Sequence, residues 1–400
     1  MPIQVCRFPC YLECKFTQVH PIRSSAMSQP ASRYTCACHP NEAAHDSVTA
    51  QASAGTSRRG FLSGLGALGA LGAASVLPGC ANVPGQTAKP HRIDIHHHIV
   101  PPSYAKELKS VTGAGAPPWS VQASLEDMDK SGIATSVVAL MQPGAYFKQA
   151  KGPELDRRMA REANEFAARM SVDHPGRFGS FATLPLMDTE GSLKEIEYAM
   201  DTLKADGIGL MTSYGMHYMG DKRFWPIWEE LNRRKATIYT HPLMPDCCRN
   251  PIEGLPPSAI EFATDTTRTV ASLVFSGTAN KFPNINWIWS HSGGTMPFLW
   301  SRFTRQQVDM GDKAKAVVPN GVLYEVQRHF YDTAQGHHEG AIAALRALIP
   351  TSQILFGSDF PYRTGEEVRQ GLADRNFTRS ELAAIERGNA LRILPGLKTV

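Results

Sequence analysis

The tripeptide His96-His97-His98 stands at the end of the run Arg92-Ile93-Asp94-Ile95. A β-strand sends alternate side chains to opposite faces, so His96 and His98 point one way and His97 the other. Two imidazoles projecting together from a strand end make half of a metal site. Candidates for the other half end other strand-like runs: His241 in Tyr239-Thr240-His241-Pro242, His291 in Trp289-Ser290-His291-Ser292-Gly293-Gly294, and Asp359 in Phe356-Gly357-Ser358-Asp359-Phe360-Pro361. A single strand-end histidine is more often a hydrogen-bonded core residue than a ligand. Five such groups at one rim reverse that judgement. Three neutral imidazoles and one carboxylate suit zinc and leave a position for water or substrate, with manganese and iron as alternatives.

Parallel strands are needed to bring these groups to one rim. From Arg92 onward, short apolar runs alternate with longer amphipathic ones. The strand candidates are Ile93–His98, Ala134–Leu140, Phe178–Leu184, Gly207–Thr212, Thr237–His241, Ile285–His291, His329–Thr333 and Gln353–Asp359. Helical patterns fill the gaps, among them Glu154–Val172, Arg223–Arg234, Ile260–Lys281 and Met296–Val308. Such alternation indicates βαβ units. Eight units over about 300 residues fit a closed (β/α)8 TIM barrel, in which catalytic groups gather at the C-terminal strand ends. An open doubly wound sheet is the weaker alternative, because no glycine-rich phosphate loop follows the first strand. Ser292-Gly293-Gly294 reads as a turn, with Thr295 expected to cap a helix beginning near Met296.

The chain has 400 residues, with 41 Lys and Arg against 37 Asp and Glu, for a formal charge of +4. No basic stripe or nucleic-acid motif is present, so nucleic acid is not an expected partner. Residues 1–90 are expected to be a disordered leader, in which 28–56 show no helical or strand period, and 91–400 the folded domain. Within the leader, Ser57-Arg58-Arg59-Gly60-Phe61-Leu62 and the Gly, Ala and Leu that follow resemble a twin-arginine export signal spanning 57–80. The stretch is too short and glycine-rich for a transmembrane helix. Leu77-Pro78-Gly79-Cys80 resembles a lipoprotein box with Cys80 as the lipidated residue. Proline is atypical there, so a soluble exported form is equally expected. Met27 is an alternative start. The protein is expected in the periplasm or envelope, or in the cytoplasm if the leader does not function. Six of the eight cysteines lie in this leader. Adjacent Cys247 and Cys248 rarely bridge each other, and read as loop or core residues.

The site residues and their order resemble the metal-dependent amidohydrolase superfamily. The likeness is to the amidohydrolase-related branch that contains aminocarboxymuconate-semialdehyde decarboxylase and 6-methylsalicylate-type decarboxylases. It runs from about Arg92 to Leu397, through Ile93-Asp94-Ile95-His96-His97-His98, His174-Pro175-Gly176-Arg177-Phe178, Ala182-Thr183-Leu184-Pro185, Ser290-His291-Ser292-Gly293-Gly294, Phe356-Gly357-Ser358-Asp359-Phe360-Pro361 and Gly388-Asn389-Ala390. The resemblance implies His96, His98, His241 and Asp359 as metal ligands and His291 as the group that handles the proton, with Asp359 as a candidate to share that role. His291 has an alternative role as ligand to a second ion. The bridging lysine that role requires is missing from Gly209-Leu210-Met211-Thr212-Ser213-Tyr214, which favours one ion. Arg302, eleven residues after His291, matches an arginine that reaches the neighbouring subunit's site and binds substrate carboxylate. That implies a homodimer. An ordinary surface arginine is the competing view.

The activity so implied is non-oxidative decarboxylation of a small aromatic or unsaturated carboxylic acid. The same site would also serve a hydrolase of a lactone, ester or amide. A catalytically silent metal-binding envelope protein is a third possibility. Asp332 is expected to orient a ligand histidine or to be a solvated loop carboxylate. Trp119, Met211 and Tyr214 are candidates to line the substrate site, and His337-His338 is expected to be solvated at a helix start.

Overall fold

The computed structural model describes residues 90–249 and 252–399. The leader, with Arg58, Arg59 and Cys80, lies outside the described residues. Eight parallel strands follow in chain order: β1 (Arg92–Ile99), β2 (Ile133–Leu140), β3 (Phe178–Thr183), β4 (Gly207–Met211), β5 (Thr237–His241), β6 (Asn286–Trp289), β7 (Phe330–Asp332) and β8 (Ile354–Leu355). Each pairs with the next. The ring closes where β1 meets the segment after β8. There Ile95 N–H donates to Phe356 O at 3.0 Å and Asp359 N–H donates to His96 O at 2.8 Å. His97 also bridges to Phe360. The architecture is the expected (β/α)8 barrel.

Local chemistry explains how the helices start and stop between strands. The helix Val121–Ser131 begins at Ser120, whose hydroxyl accepts from Ala123 N–H, and ends at Gly132 with φ 65°. A serine N-cap and a left-handed glycine are the usual start and stop signals. Inside the barrel, Ile93, Ile95, Val137, Ala139, Phe181, Tyr239, Ile288 and Leu355 form a buried floor, closed from below by Ile393 and Leu394. The metal-ligand candidates stand above this floor.

Strict alternation along β1 would turn His96 outward if Ile93 and Ile95 face in. The structure resolves this with a bulge. Asp94 pairs with Ser136 and His97 with Val138, so β1 advances three residues while β2 advances two. The extra residue resets the alternation. Ile93, Ile95, His96 and His98 therefore all serve the interior. The Asp94 carboxylate holds this irregularity. It accepts from His96 N–H at 3.0 Å, from Ser358 N–H at 2.9 Å and from Ser358 Oγ–H at 2.6 Å. His97, on the opposite side, bonds Ser124 Oγ at 2.9 Å and stacks on Phe360.

Several boundaries differ from the sequence expectation. Asp359 and His291 lie past the ends of β8 and β6, not within them, because both adopt positive φ, 73° and 52°. A strand cannot contain that conformation. The helix after β6 starts at Trp300 rather than near Met296, and Thr295 does not cap it. The Thr295 hydroxyl instead bonds Thr267 Oγ1 at 2.9 Å. Gly294 before it is required by space, since an added Cβ would lie 2.0 Å from Ala263 O. His337 is buried, not solvated, because its ring packs against Gly371.

Candidate active site and metal centre

Strands β1 and β5 and the turn after β8 bring His96, His98, His241 and Asp359 together, with one donor atom from each inside a 4.8 Å group. His98 Nε2 lies 3.1 Å from Asp359 Oδ1 and 3.2 Å from His96 Nε2. His96 Nε2 is 3.1 Å from the same carboxylate oxygen, and His241 Nε2 is 4.0 Å from it. An ion with tetrahedral bonds of about 2.0–2.1 Å separates its donors by about 3.3 Å. The observed spacings bracket that value, so these residues fit a small divalent ion.

Asp332 settles one tautomer. Its Oδ2 accepts a hydrogen bond from His96 Nδ1–H at 2.8 Å, which leaves Nε2 facing the group. Its Oδ1 accepts from the backbone N–H of His291 at 2.8 Å and of Ala334 at 3.0 Å. One carboxylate thus orients a donor histidine and fixes the turn that carries His291, the orienting role expected of it. Gly357 permits this proximity, because an added Cβ there would meet His96 Cβ at 2.8 Å and Asp332 Cβ at 3.1 Å. His98 and His241 have no hydrogen-bond partner for Nδ1 among the described residues.

His291 stands beside the group rather than in it. Its Nε2 is 3.3 Å from Asp359 Oδ2, while Asp359 Oδ1 faces His96 and His98. The two oxygens of one carboxylate thus divide between the donor histidines and His291. Gln335, which sequence reasoning missed, donates its side-chain N–H to the same Oδ2. Its one structural signal is a left-handed backbone, φ 50°. Such conformations collect at functional sites.

Burial lowers the basicity of His98, and of His241 still more strongly, helped by neighbouring imidazoles. Both keep a lone pair available at neutral pH. Burial also disfavours a charged His96, but Asp332 and Asp359 outweigh it and raise its pKa to about 10. Burial would raise the Asp359 pKa, yet the surrounding histidines hold it well below the usual carboxylate range. The arrangement is built to retain positive charge at its centre.

A cavity of about 340 Å³ opens over the group, lined by Gln142, His241, Phe262, Gln335, Asp359, Tyr362 and Arg363 among others. Burial, aided by Asp359, pushes Tyr362 up to about 12, so its phenol remains a donor. A larger cavity of about 660 Å³ lies at the opposite end of the barrel, around Gly179, Asp206 and Leu397. It contains none of the donor residues.

Trp119, Met211 and Tyr214 do not line the site cavity. Trp119 donates to Ser124 Oγ at 3.0 Å, and the Tyr214 hydroxyl accepts from Met211 N–H at 3.1 Å. All three pack with the core. Cys247 is exposed and Cys248 half-buried, in a short turn. Arg302 is exposed on the helix Trp300–Asp309 and does not line its own chain's cavity.

The amidohydrolase family model matches residues 93–396. The chain belongs to this family. The decarboxylase macB of Penicillium terrestre is 33% identical over 324 residues, covering 76% of this chain and 95% of that protein. The 6-methylsalicylic acid decarboxylase acuB of Aspergillus aculeatus is 32% identical over 324 residues, covering 77% and 97%. In structure, 5-carboxyvanillate decarboxylase of Novosphingobium aromaticivorans, solved with manganese and 4-hydroxy-3-methoxy-5-nitrobenzoic acid, superposes with a TM-score of 0.69 at 19% identity, over 76% of this chain and 96% of that one. That last likeness establishes the shared fold.

The charge arrangement predicts proton-linked metal uptake. A proton on His96 Nε2 must leave before that nitrogen can bind an ion. Affinity should therefore rise with pH across the neutral range, by about tenfold per unit while His96 is protonated in the metal-free protein. Calorimetric titration of metal-free protein in buffers of different ionisation enthalpy measures the protons released. Release of none at pH 7 would contradict the arrangement.

Proposed function

We propose that the protein is a metal-dependent, non-oxidative decarboxylase of a small aromatic carboxylic acid. The reading is carried by a four-donor centre under a cavity, in a chain whose relatives, matched over nearly their full length, are decarboxylases. His96, His98, His241 and Asp359 would hold one ion, and zinc suits their donor set. When bound, the ion would polarise a substrate oxygen and offset charge that develops on the ring.

The chain's own residues supply the rest. His291 delivers a proton to the ring carbon that bears the carboxylate. The bond to the carboxylate then breaks, its electron pair returns to the ring, and carbon dioxide leaves. Asp359 Oδ2, 3.3 Å from His291 Nε2, positions that imidazole. Tyr362 and Gln142 on the cavity wall can orient oxygen atoms of the acid. No organic cofactor is required.

His291→Ala should keep its metal and lose about 10²–10⁴ in kcat. His241→Ala should lose the metal itself. Metal content measured beside carbon dioxide release tests both variants. Equal metal loss in the two would make His291 a ligand, and turnover of lactones without carbon dioxide release would favour the hydrolase instead.

Arg302 is proposed to bind substrate carboxylate in the partner site of a homodimer, since a guanidinium offers two oxygens a paired donor. Two observations support this view. Arg302 is exposed, and nearby Phe298 is an exposed aromatic at 85%. Mixing Arg302→Ala with a His241→Ala protein should restore part of the activity each lacks. No restoration would return the role to Arg363, which lines the cavity of its own chain.

Export through the twin-arginine-type leader is proposed from Arg58-Arg59 and the weakly apolar stretch that follows. Lipidation at Cys80 is an additional proposal on the same segment. Replacing both arginines with lysine should leave the protein in the cytoplasm on fractionation. Unchanged export would refute the signal.

A further inference from the structure

The cavity over the donor group does not stand alone. A second chamber of about 540 Å³ adjoins it, and both are lined by Gln142, Pro257 and Phe262. The inner cavity of about 340 Å³ already falls within the usual range for ligand pockets, about 300–1,000 Å³. A monocyclic acid therefore needs no more room than the inner cavity gives. The second chamber is space beyond the reacting ring.

Its chemistry is apolar. Leu108, Met141, Phe147, Leu243 and Met244 supply much of the wall. The polar groups around it are largely occupied by protein. The Thr112 hydroxyl donates to Leu108 O at 2.7 Å. Arg249 pairs with Asp246 at 2.6 Å, and Lys148 pairs with the same carboxylate. The two cations share one carboxylate, so a single positive charge remains at this edge of a wall that is otherwise largely apolar. At the junction, Phe262 stands edge-on to His241, with ring centroids 6.2 Å apart. The route from the donor group to the chamber thus passes from imidazole to aromatic to aliphatic wall.

We propose that the second chamber receives an apolar arm of the substrate: the acid decarboxylated here is an aromatic ring carrying a hydrocarbon substituent of several carbons, directed away from the metal end. This rests on the decarboxylase reading. The arm contributes by leaving water, and each methylene buried should strengthen binding roughly three- to fourfold. It would appear in KM, because the chamber is remote from the bond that breaks.

The test uses the metal-loaded full-length protein and two series of salicylates, alkylated at ring position 4 or 6 with methyl, propyl or pentyl. Carbon dioxide release gives kcat and KM, and calorimetry gives affinity. In at least one series, KM should fall from methyl to pentyl by about tenfold or more, with kcat nearly constant. Two variants fill the chamber from different sides: Met244→Trp, and Gly115→Phe, where an added Cβ meets nothing within 4 Å. Both should bring the pentyl-to-methyl ratio of kcat/KM close to one. Turnover with affinity flat or falling along both series would overturn the proposal, leaving the chamber as an entry passage. Affinity that rises with arm length in the absence of turnover would retain the chamber and overturn decarboxylation. Neither turnover nor length-dependent affinity would overturn both.

Discussion

The buried carboxylate of Asp94 is the constraint on which the site depends. It lies under the bulge in β1 and satisfies the His96 N–H within that irregular stretch. It also accepts two hydrogen bonds from Ser358, one residue before Asp359. A single anion thus joins the strand that carries two donor imidazoles to the turn that carries the donor carboxylate, 264 residues further along the chain. Without it, buried N–H groups would lack partners, each at a cost of about 1–3 kcal/mol. The bulge is also what allows apolar Ile93 and Ile95 to fill the floor while His96 and His98 rise above it on the same side. Fold closure and site assembly are one structural event.

A second carboxylate completes this logic. Asp332 faces His96 from β7, while Asp359 faces it across the group. Two anions around one buried imidazole demand a compensating positive charge. A proton on His96 meets the demand, and so would a divalent cation with His96 neutral. The site therefore pre-exists as an electrostatic well before any ion enters. The backbone is arranged to keep it so. Left-handed conformations at His291, Ser292, Gln335 and Asp359 are concentrated around the group. Such conformations cost about 1–3 kcal/mol each and persist where their surroundings over-determine them. Here the hydrogen bonds that the His291 and Ala334 amides donate to Asp332 do that.

The donors were legible because each stands at or near the end of an apolar run that alternates with helical segments, as the strands of a parallel sheet do. Strand ends place residues at a rim, and imidazole or carboxylate at a rim is uncommon without a purpose. The boundaries of Thr237–His241 were readable for the same reason, in a short run with a β-branched start and a proline after it. Other features had no local signal. The bulge in β1 follows from pairing with β2 and from the side chain of Asp94, neither visible as periodicity. Gln335 matters through a partner 24 residues away, and nothing in Thr333-Ala334-Gln335-Gly336 announces that partner. Thr295 looked like a cap, but Gly294 packs so tightly on the helix Glu261–Phe275 that the next helix cannot begin there. The role expected of Arg302 rests on family likeness alone, and Arg302 does not line the cavity over the donor group of its own chain.

The loops divide the labour with the strands. Four segments beyond the strand ends contribute walls to the two adjoining cavities, through Leu108 and Gly115, Gln142 and Phe147, Met244 and Pro257, and Tyr362 and Arg363. Strand ends must satisfy fixed donor distances, so few residue types are tolerated there. Loop walls must satisfy only volume and polarity, which many sequences can do. A family can therefore hold one reaction centre constant while its acids vary. The same division explains why strand-end motifs identify the chemistry and fall silent on the substrate. The shape of the chamber beyond Phe262, and not any motif, carries that information.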